Sequence, residues 1–264
     1  MLQPTSAGPI QKTPPPPAIS VPVYSLSTPI PSHYSVNNGD NNGAAVVIKG
    51  DDDAEHDTQE TSMNIITFTS PVSVAAPKLW MVSLYKGTLT KISFLGNDDE
   101  NNEGNGTKIG VLQLLRPHQA GLVPALGKRS GMENVSQVKN DNRTDKEELI
   151  IYNKKTVCKE LGFEWSKNTC NFFSSQEDAD KAASSAKKTD FYLLPECAVY
   201  IYLRVLNTMD AGDHDMALCE VLGTGVWDEK MKRVVEAHPS DDNLKPLDES
   251  LALYTGRLRS MGVI

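Results

Sequence analysis

"TSPVSVAAPKLWMVSLYKGTLTKISF", Thr69 to Phe94, is the stretch whose reading decides the fold. "KLWMVSLY" has the length and the apolar, β-branched and aromatic content of a buried strand. It ends in Tyr85-Lys86-Gly87-Thr88, after which Leu89, Ile92 and Leu95 recur three apart, a helical spacing with Gly96 as its stop. A strand therefore delivers a lysine, a glycine and a threonine to the start of a helix. A threonine there is an N-cap, its hydroxyl accepting from an amide of the first turn. The remaining amides and the positive end of the helix dipole favour an anion. Lys86 adds a full charge, and Gly87 lets the backbone approach a ligand with no Cβ in the way. The three residues suit a phosphate monoester. They also suit an ordinary capped helix, which is the first reading of these residues taken alone. No G-x-x-x-x-G-K-[ST] loop occurs, and "GNGTKIG" at 104–110 precedes a strand, the wrong order for a dinucleotide fingerprint.

Upstream, "NIITFTS" from Asn64 to Ser70 reads as another strand, and Pro71 and Pro77 forbid a helix between the two. Thr67, Thr69 and Ser70 cluster around Phe68. If this strand pairs with "KLWMVSLY", their hydroxyls and amides lie near the lysine junction. A planar heterocycle with several carbonyl and nitrogen edges calls for such small donors. Flavin mononucleotide (FMN) has both that ring and a phosphate monoester.

Outward from this centre, "VPVYSLST" (residues 21–28) reads as a strand, with Pro22 at its start or on an edge. "TKIGVLQLL" reads as a strand, and "RPHQAGLVPALGKRSG" as a helix ending near Gly131 and kinked or broken at Pro124. "FYLLPECAVYIYLRVLN" reads as one long strand, with Val199, Ile201, Leu203 and Val205 on one face and Tyr200, Tyr202 and Arg204 on the other. "GDHDMALCEVLGTGVW" continues it as a hairpin closed by Asp210 to Gly212. The tail "LDESLALYTGRLRSMGVI" reads as a short amphipathic helix. Residues 1–18, with Pro14 to Pro17, form a proline-rich lead-in expected to be disordered. Polar insertions near 37–62, 96–107 and 174–189 interrupt a domain over 19–264. The pattern predicts a mainly β fold, an antiparallel barrel with peripheral helices.

The 264 residues carry a net charge of −8, which argues against a general nucleic-acid binder. Four cysteines, Cys158, Cys170, Cys197 and Cys219, form no C-x-x-C pair, so reduced thiols are expected rather than a disulfide framework or a zinc site. No apolar run reaches membrane-spanning length, and no signal or transit pattern opens the chain, which points to the cytoplasm. Asp213-His214-Asp215 looks like a ligand cluster. Strand alternation would put the two carboxylates on one side and the histidine on the other, so three ligands to one metal are not expected. His118 reads as a surface residue. Trp80, Trp165 and Trp227 read as core or interface anchors.

"NIITFTSPVS", "PKLWMVSLYKGTLT", "GVLQLL", "LGKRSG" and "GDHDMALCEVL", in that order, resemble the flavin reductase-like family of FMN-binding split barrels over roughly residues 20 to 264. "YTGRLRSMGVI" resembles the C-terminus of the plant and algal versions. The resemblance implies a homodimer with FMN near the subunit interface. Asn64, Thr67, Phe68, Thr69 and Ser70 would line the ring and ribityl chain, and Lys86, Gly87 and Thr88 would take the phosphate. His214 would sit on the flavin and nicotinamide side; a turn histidine held by a backbone hydrogen bond is the competing reading. NAD(P)H would be the co-substrate of a flavin reductase. A non-enzymatic FMN carrier or sensor is the alternative, and an interaction module without flavin a third.

Overall fold

The computed structural model describes residues 20–30, 46–47, 61–96, 106–127, 132–134, 149–151, 154–170, 189–237 and 251–264. The lead-in 1–18, Lys128, Arg129 and Gly131, and nearly all of the three polar insertions lie outside them. The principal sheet contains β1 (Tyr24–Pro29), β3 (Thr61–Ile66), β4 (Thr69–Ser73), β5 (Leu79–Tyr85), β6 (Ile109–Leu114), β11 (Val199–Ala211), β12 (His214–Asp228) and β13 (Arg233–Glu236). All its pairings are antiparallel, in the order β3-β1-β6-β11-β12-β5-β4, with β13 on β12. Smaller sheets join β9 (Ser166–Cys170) to β10 (Thr189–Leu193), and β2 (Val46–Val47) to β8 (Leu149–Ile151) and β7 (Met132–Asn134).

The order of the principal sheet forces its shape. β3 and β4 are the two ends of the path, yet only Thr67 and Phe68 separate them in sequence. Three Cα steps of about 3.8 Å cannot cross a flat sheet of seven strands spaced about 4.8 Å apart. The sheet must roll until its ends meet, and residues of β3 lie within 8 Å (Cα–Cα) of β5. No ladder joins β3 to β4 or β5, so the barrel is split at this seam. Helix α1 (Leu89–Leu95) packs across the seam, against β1, β3 and β5.

Both faces of the rolled sheet are buried in places. Tyr200 and Tyr202 of β11 enter one core with Met63, Val111, Leu122, Phe191 and Trp165. Ile201 and Leu203 enter the other with Leu26, Val82, Leu84 and Phe94. The alternation expected for β11 holds, with apolar partners waiting on each side. Two expected strands are broken. "NIITFTS" divides at Thr67–Phe68, where the chain changes sheet ends. "FYLLPECAVYIYLRVLN" divides into β10 and β11 at a turn where Glu196 adopts φ 59°. Tyr200 accounts for this second break. Its hydroxyl donates to Leu194 O (2.6 Å) and accepts from Cys197 N (3.1 Å), fastening the turn to the strand that follows. The helix expected over 116–131 is a 3-10 turn at Pro117–Gln119 followed by α2 (Leu122–Gly127), with Pro124 in the first turn of α2, where its missing N–H costs nothing.

Helix α3 (Lys154–Glu160) is held by an unexpected group. The Lys154 ammonium, 2% exposed, donates to Leu126 O at the end of α2 (2.6 Å) and to Met63 O of β3 (3.0 Å). Helix α4 (Thr255–Ser260) closes the chain against the start of β1, with Val21 N donating to Thr255 Oγ1. The insertion after α1 leaves and returns through one narrow neck. A Cβ on Gly106 would collide with Gly96 N and Leu95 C, and Thr107 N and Lys108 N donate to Ser93 O and Phe94 O of α1. Among the described residues no helix is long and apolar enough to cross a membrane.

Candidate functional site

The junction read from the sequence forms as expected. Thr88 is the N-cap of α1, extended at φ −89°, and its Oγ1 accepts from Lys91 N at 3.2 Å. The same hydroxyl donates to Tyr85 O at 3.0 Å. Gly96 closes the helix at φ 97°. Gly87 adopts φ +78°, and a Cβ there would meet nothing within 4 Å, so the glycine serves the turn and leaves open space above it. The helix presents a different face from the expected one. Leu89, Thr90, Lys91, Ser93, Phe94 and Leu95 are all buried and Ile92 is only half-buried, because α1 lies in the seam with strands on several sides.

The charges around Lys86 were only half legible. Its Nζ lies 2.7 Å from Asp210 Oδ2 and 3.7 Å from Asp215 Oδ1, and its amide donates to Asp213 O at 3.0 Å. Both carboxylates belong to the β11–β12 hairpin, whose two-residue turn is Gly212-Asp213. The Lys86 ammonium and the Gly212 amide hold the Asp210 carboxyl below the usual carboxylate range. Asp215, nearly buried, also lies 3.2 Å from the Nζ of Lys91, a lysine 2% exposed that donates to Gly96 O. Strand and helix are thus clamped to the hairpin by two lysines sharing one carboxylate.

The same end of the sheet carries a ring cluster. His214 pairs with Tyr85 in the β5–β12 ladder, its ring edge-on to Tyr85 at 5.4 Å and to Phe68 at 6.2 Å. Its Nδ1 lies 2.7 Å from Asp213 Oδ1, and that contact lowers the pKa of Asp213. Asp213 is in the turn rather than on the strand, so the expected alternation of the two aspartates does not apply: one is exposed and the other buried. Phe68 is 68% exposed and Tyr85 58%, unusual for aromatic side chains, and Met209 of β11, opposite Met216 in the hairpin, is 58% exposed.

The expected lining segment divides in two. Phe68 and Ser70 face solvent, and Thr67 is half-buried. Thr69 Oγ1 donates to Met81 O at 2.7 Å and accepts from Trp80 Nε1, so its hydroxyl stitches β4 to β5. Asn64 Oδ1 accepts from Ile65 N. Two residues before it, on the same face of β3, Ser62 bonds Thr90 of α1 at 2.7 Å, which sets Asn64 beside the junction. The structure therefore gathers Phe68, Lys86, Gly87, Thr88 and His214, adds Tyr85, Asp210, Asp215 and Lys91, and turns the hydroxyls of Thr69 and Thr88 to the fold. Tyr85 was visible in sequence as the strand's last residue. The partners of the lysines come from a hairpin more than a hundred residues away and left no local signal.

The rest of the molecule offers less chemistry. Burial pushes the Cys158 thiol up to about 11 and those of Cys197 and Cys219 to about 12, which keeps all three protonated and poor nucleophiles. His118 stacks on Phe163 and meets Glu196 at 3.3 Å on the surface. Among the described residues no cluster of three histidine, cysteine or acidic side chains is arranged to hold a metal ion.

No family model and no curated protein matches the chain. Among solved structures it is similar to an FMN-binding protein from Thermus thermophilus, at 12% identity and a TM-score of 0.43 over 89% of this chain and 98% of that one. It is also similar to nitrilotriacetate monooxygenase component B from Mycobacterium thermoresistibile (11%, TM-score 0.40, 87% and 86% covered). A third is the styrene monooxygenase flavin reductase from Pseudomonas putida S12 (12%, TM-score 0.37, 83% and 92% covered). The chain spans 44% of the length of another similar protein, described as an oxidoreductase, from Sinorhizobium meliloti.

Proposed function

We propose that the protein is a flavin reductase-like oxidoreductase, in its plant and algal form, that binds FMN at the open end of the split barrel. The observation that carries the reading is the placement, at one end of β5, of an exposed ring cluster, Phe68, Tyr85 and His214, next to the lysine–glycine turn that follows Tyr85, with the Lys86 ammonium on the other face of the sheet beside Asp210 and Asp215. Lys86 and first-turn amides of α1 would hold the phosphate, with Gly87 leaving it room. The threonine hydroxyls at 69 and 88 are engaged within the fold, so these residues would meet the ligand through their backbone. Asn64, Thr67, Phe68 and Ser70 would line the ring and ribityl chain. His214, steadied by Asp213, would orient the nicotinamide or flavin ring. Bound there, FMN would supply the two-electron chemistry, with NAD(P)H as hydride donor.

The same reading makes the chain a homodimer. Phe68, Tyr85 and Met209 leave large apolar surface bare on one end of the sheet, and a second copy would cover it.

Anaerobic addition of NADPH, then NADH, to FMN-loaded, desalted protein tests the function. Rapid loss of the flavin absorbance band supports hydride transfer. Flavin that stays bound and oxidised makes the protein a carrier or sensor, and failure of FMN to bind in a titration refutes the flavin reading.

A further inference from the structure

We propose that Asp210 is a tethered internal anion that competes with a ligand's phosphate for Lys86, setting how strongly phosphorylated ligands bind. The inference rests on the reading of the junction as a phosphate site. It comes from a mismatch: the lysine best placed for an external anion is already 2.7 Å from an aspartate.

Three features make that aspartate a competitor rather than a fixed brace. The pair is open to water, with the Asp210 side chain 75% exposed and the Lys86 side chain 31% exposed. Such pairs contribute little and break readily. Asp210 is aimed independently of Lys86, because its Oδ1 accepts from Gly212 N at 2.9 Å within the hairpin turn. Its carboxylate is thus ordered whether or not a ligand is present. Lys86 keeps its own anchors when Asp210 lets go. Asp215 Oδ1 lies 3.7 Å from its Nζ, its amide is bonded to Asp213 O, and Asp215 is fixed in turn by Lys91. An arriving phosphate would find the ammonium in place and would compete with the exposed Asp210 carboxylate for it.

Charge decides the exchange. A phosphate monoester brings close to two negative charges at neutral pH and three acceptor oxygens, where Asp210 brings one charge and two oxygens. The dianion can displace the carboxylate, but its net gain is reduced by the contact it breaks. A ligand without a phosphate does not break that contact and is indifferent to it.

The test is Asp210→Asn, which keeps an oxygen for Gly212 N and removes the charge. FMN and riboflavin are titrated by flavin fluorescence, and inorganic phosphate by phosphorus NMR, against wild type and variant. The expected result is FMN and inorganic phosphate binding tighter to the variant by roughly two- to fivefold, the scale of an exposed ion pair, with riboflavin unchanged. Unchanged or weaker FMN binding with riboflavin unaffected overturns the proposal. So does an equal loss of both flavins, which makes Asp210 a brace of the hairpin. If neither protein takes up flavin, the flavin reading falls and the phosphate titration still decides: tighter binding to the variant upholds the competition, and no difference overturns it.

Discussion

Replacing Lys154 with methionine should change how stability depends on pH, by an amount that can be calculated. The ammonium sits at 2% exposure between two backbone carbonyls, and burial lowers its pKa from 10.5 to about 8. The folded chain therefore releases this proton earlier than the unfolded chain. Below pH 8 both states hold it, and folding carries the full cost of burying the charge. Between pH 8 and 10.5 only the unfolded state binds the proton, so stability rises with pH. Each tenfold change in proton affinity is worth about 1.4 kcal/mol, so the whole effect is on the order of 3 kcal/mol, with about 2 kcal/mol appearing between pH 8 and 10. Buried thiols pull the other way over the same range; Cys197 and Cys219 do so equally in both proteins, whereas Cys158, whose pKa the Lys154 charge lowers, contributes differently to the two. The quantity to read is the difference in unfolding free energy between wild type and Lys154→Met, from urea titrations at pH 7, 8, 9 and 10. The difference should be flat to pH 8 and then move in favour of wild type. Parallel curves across the range would refute the reasoning and show that Lys154 stays charged in the folded protein. The site has a stake in the outcome, since Met63, whose carbonyl Lys154 holds, directly precedes Asn64.

Three further expectations concern the junction and the barrel. Thr88→Ala removes the cap of α1 and the bond to Tyr85 O, and should cost about 1 kcal/mol by chemical denaturation; a loss below about 0.3 kcal/mol would show the cap to be dispensable. If the chain pairs through the ring cluster as proposed, Phe68→Asp should lower the sedimentation coefficient from that of a dimer to that of a monomer, and an unchanged coefficient would refute pairing through that cluster. In the native protein Cys158, Cys197 and Cys219 should be silent to a thiol reagent at pH 8 and react on unfolding; rapid labelling of any of them in the folded state would contradict their burial.

The sequence was most readable where structure is decided by neighbours. The cap at Thr88, the stop at Gly96 and the hairpin expected over Asp210 to Gly212 each depend on a few adjacent backbone groups; all three formed, the hairpin with its turn moved on to Gly212-Asp213. The two faces of β11 were readable because alternation alone separates Tyr200 from Ile201. The break at Pro195–Glu196 was not, since the hydroxyl of Tyr200 fixes it only once the chain has folded. Lys91 and Lys154 look like ordinary surface residues on short helices. Their burial is decided by Asp215, Met63 and Leu126, none of which is near them in sequence. The same holds for the site: its rings and its lysine could be named, but the carboxylate seated on that lysine could not.

The neck between Gly96 and Gly106 has a consequence for engineering. With the two ends of the polar insertion pinned side by side to α1, the fold has in effect closed a loop. Closure entropy grows only with the logarithm of loop length, so doubling the insertion would cost about 0.6 kcal/mol. A reporter peptide or a small foreign domain grafted between residues 97 and 105 should be tolerated. It would hang from the helix whose other end carries the lysine junction, giving a label close to the site without altering any residue in it.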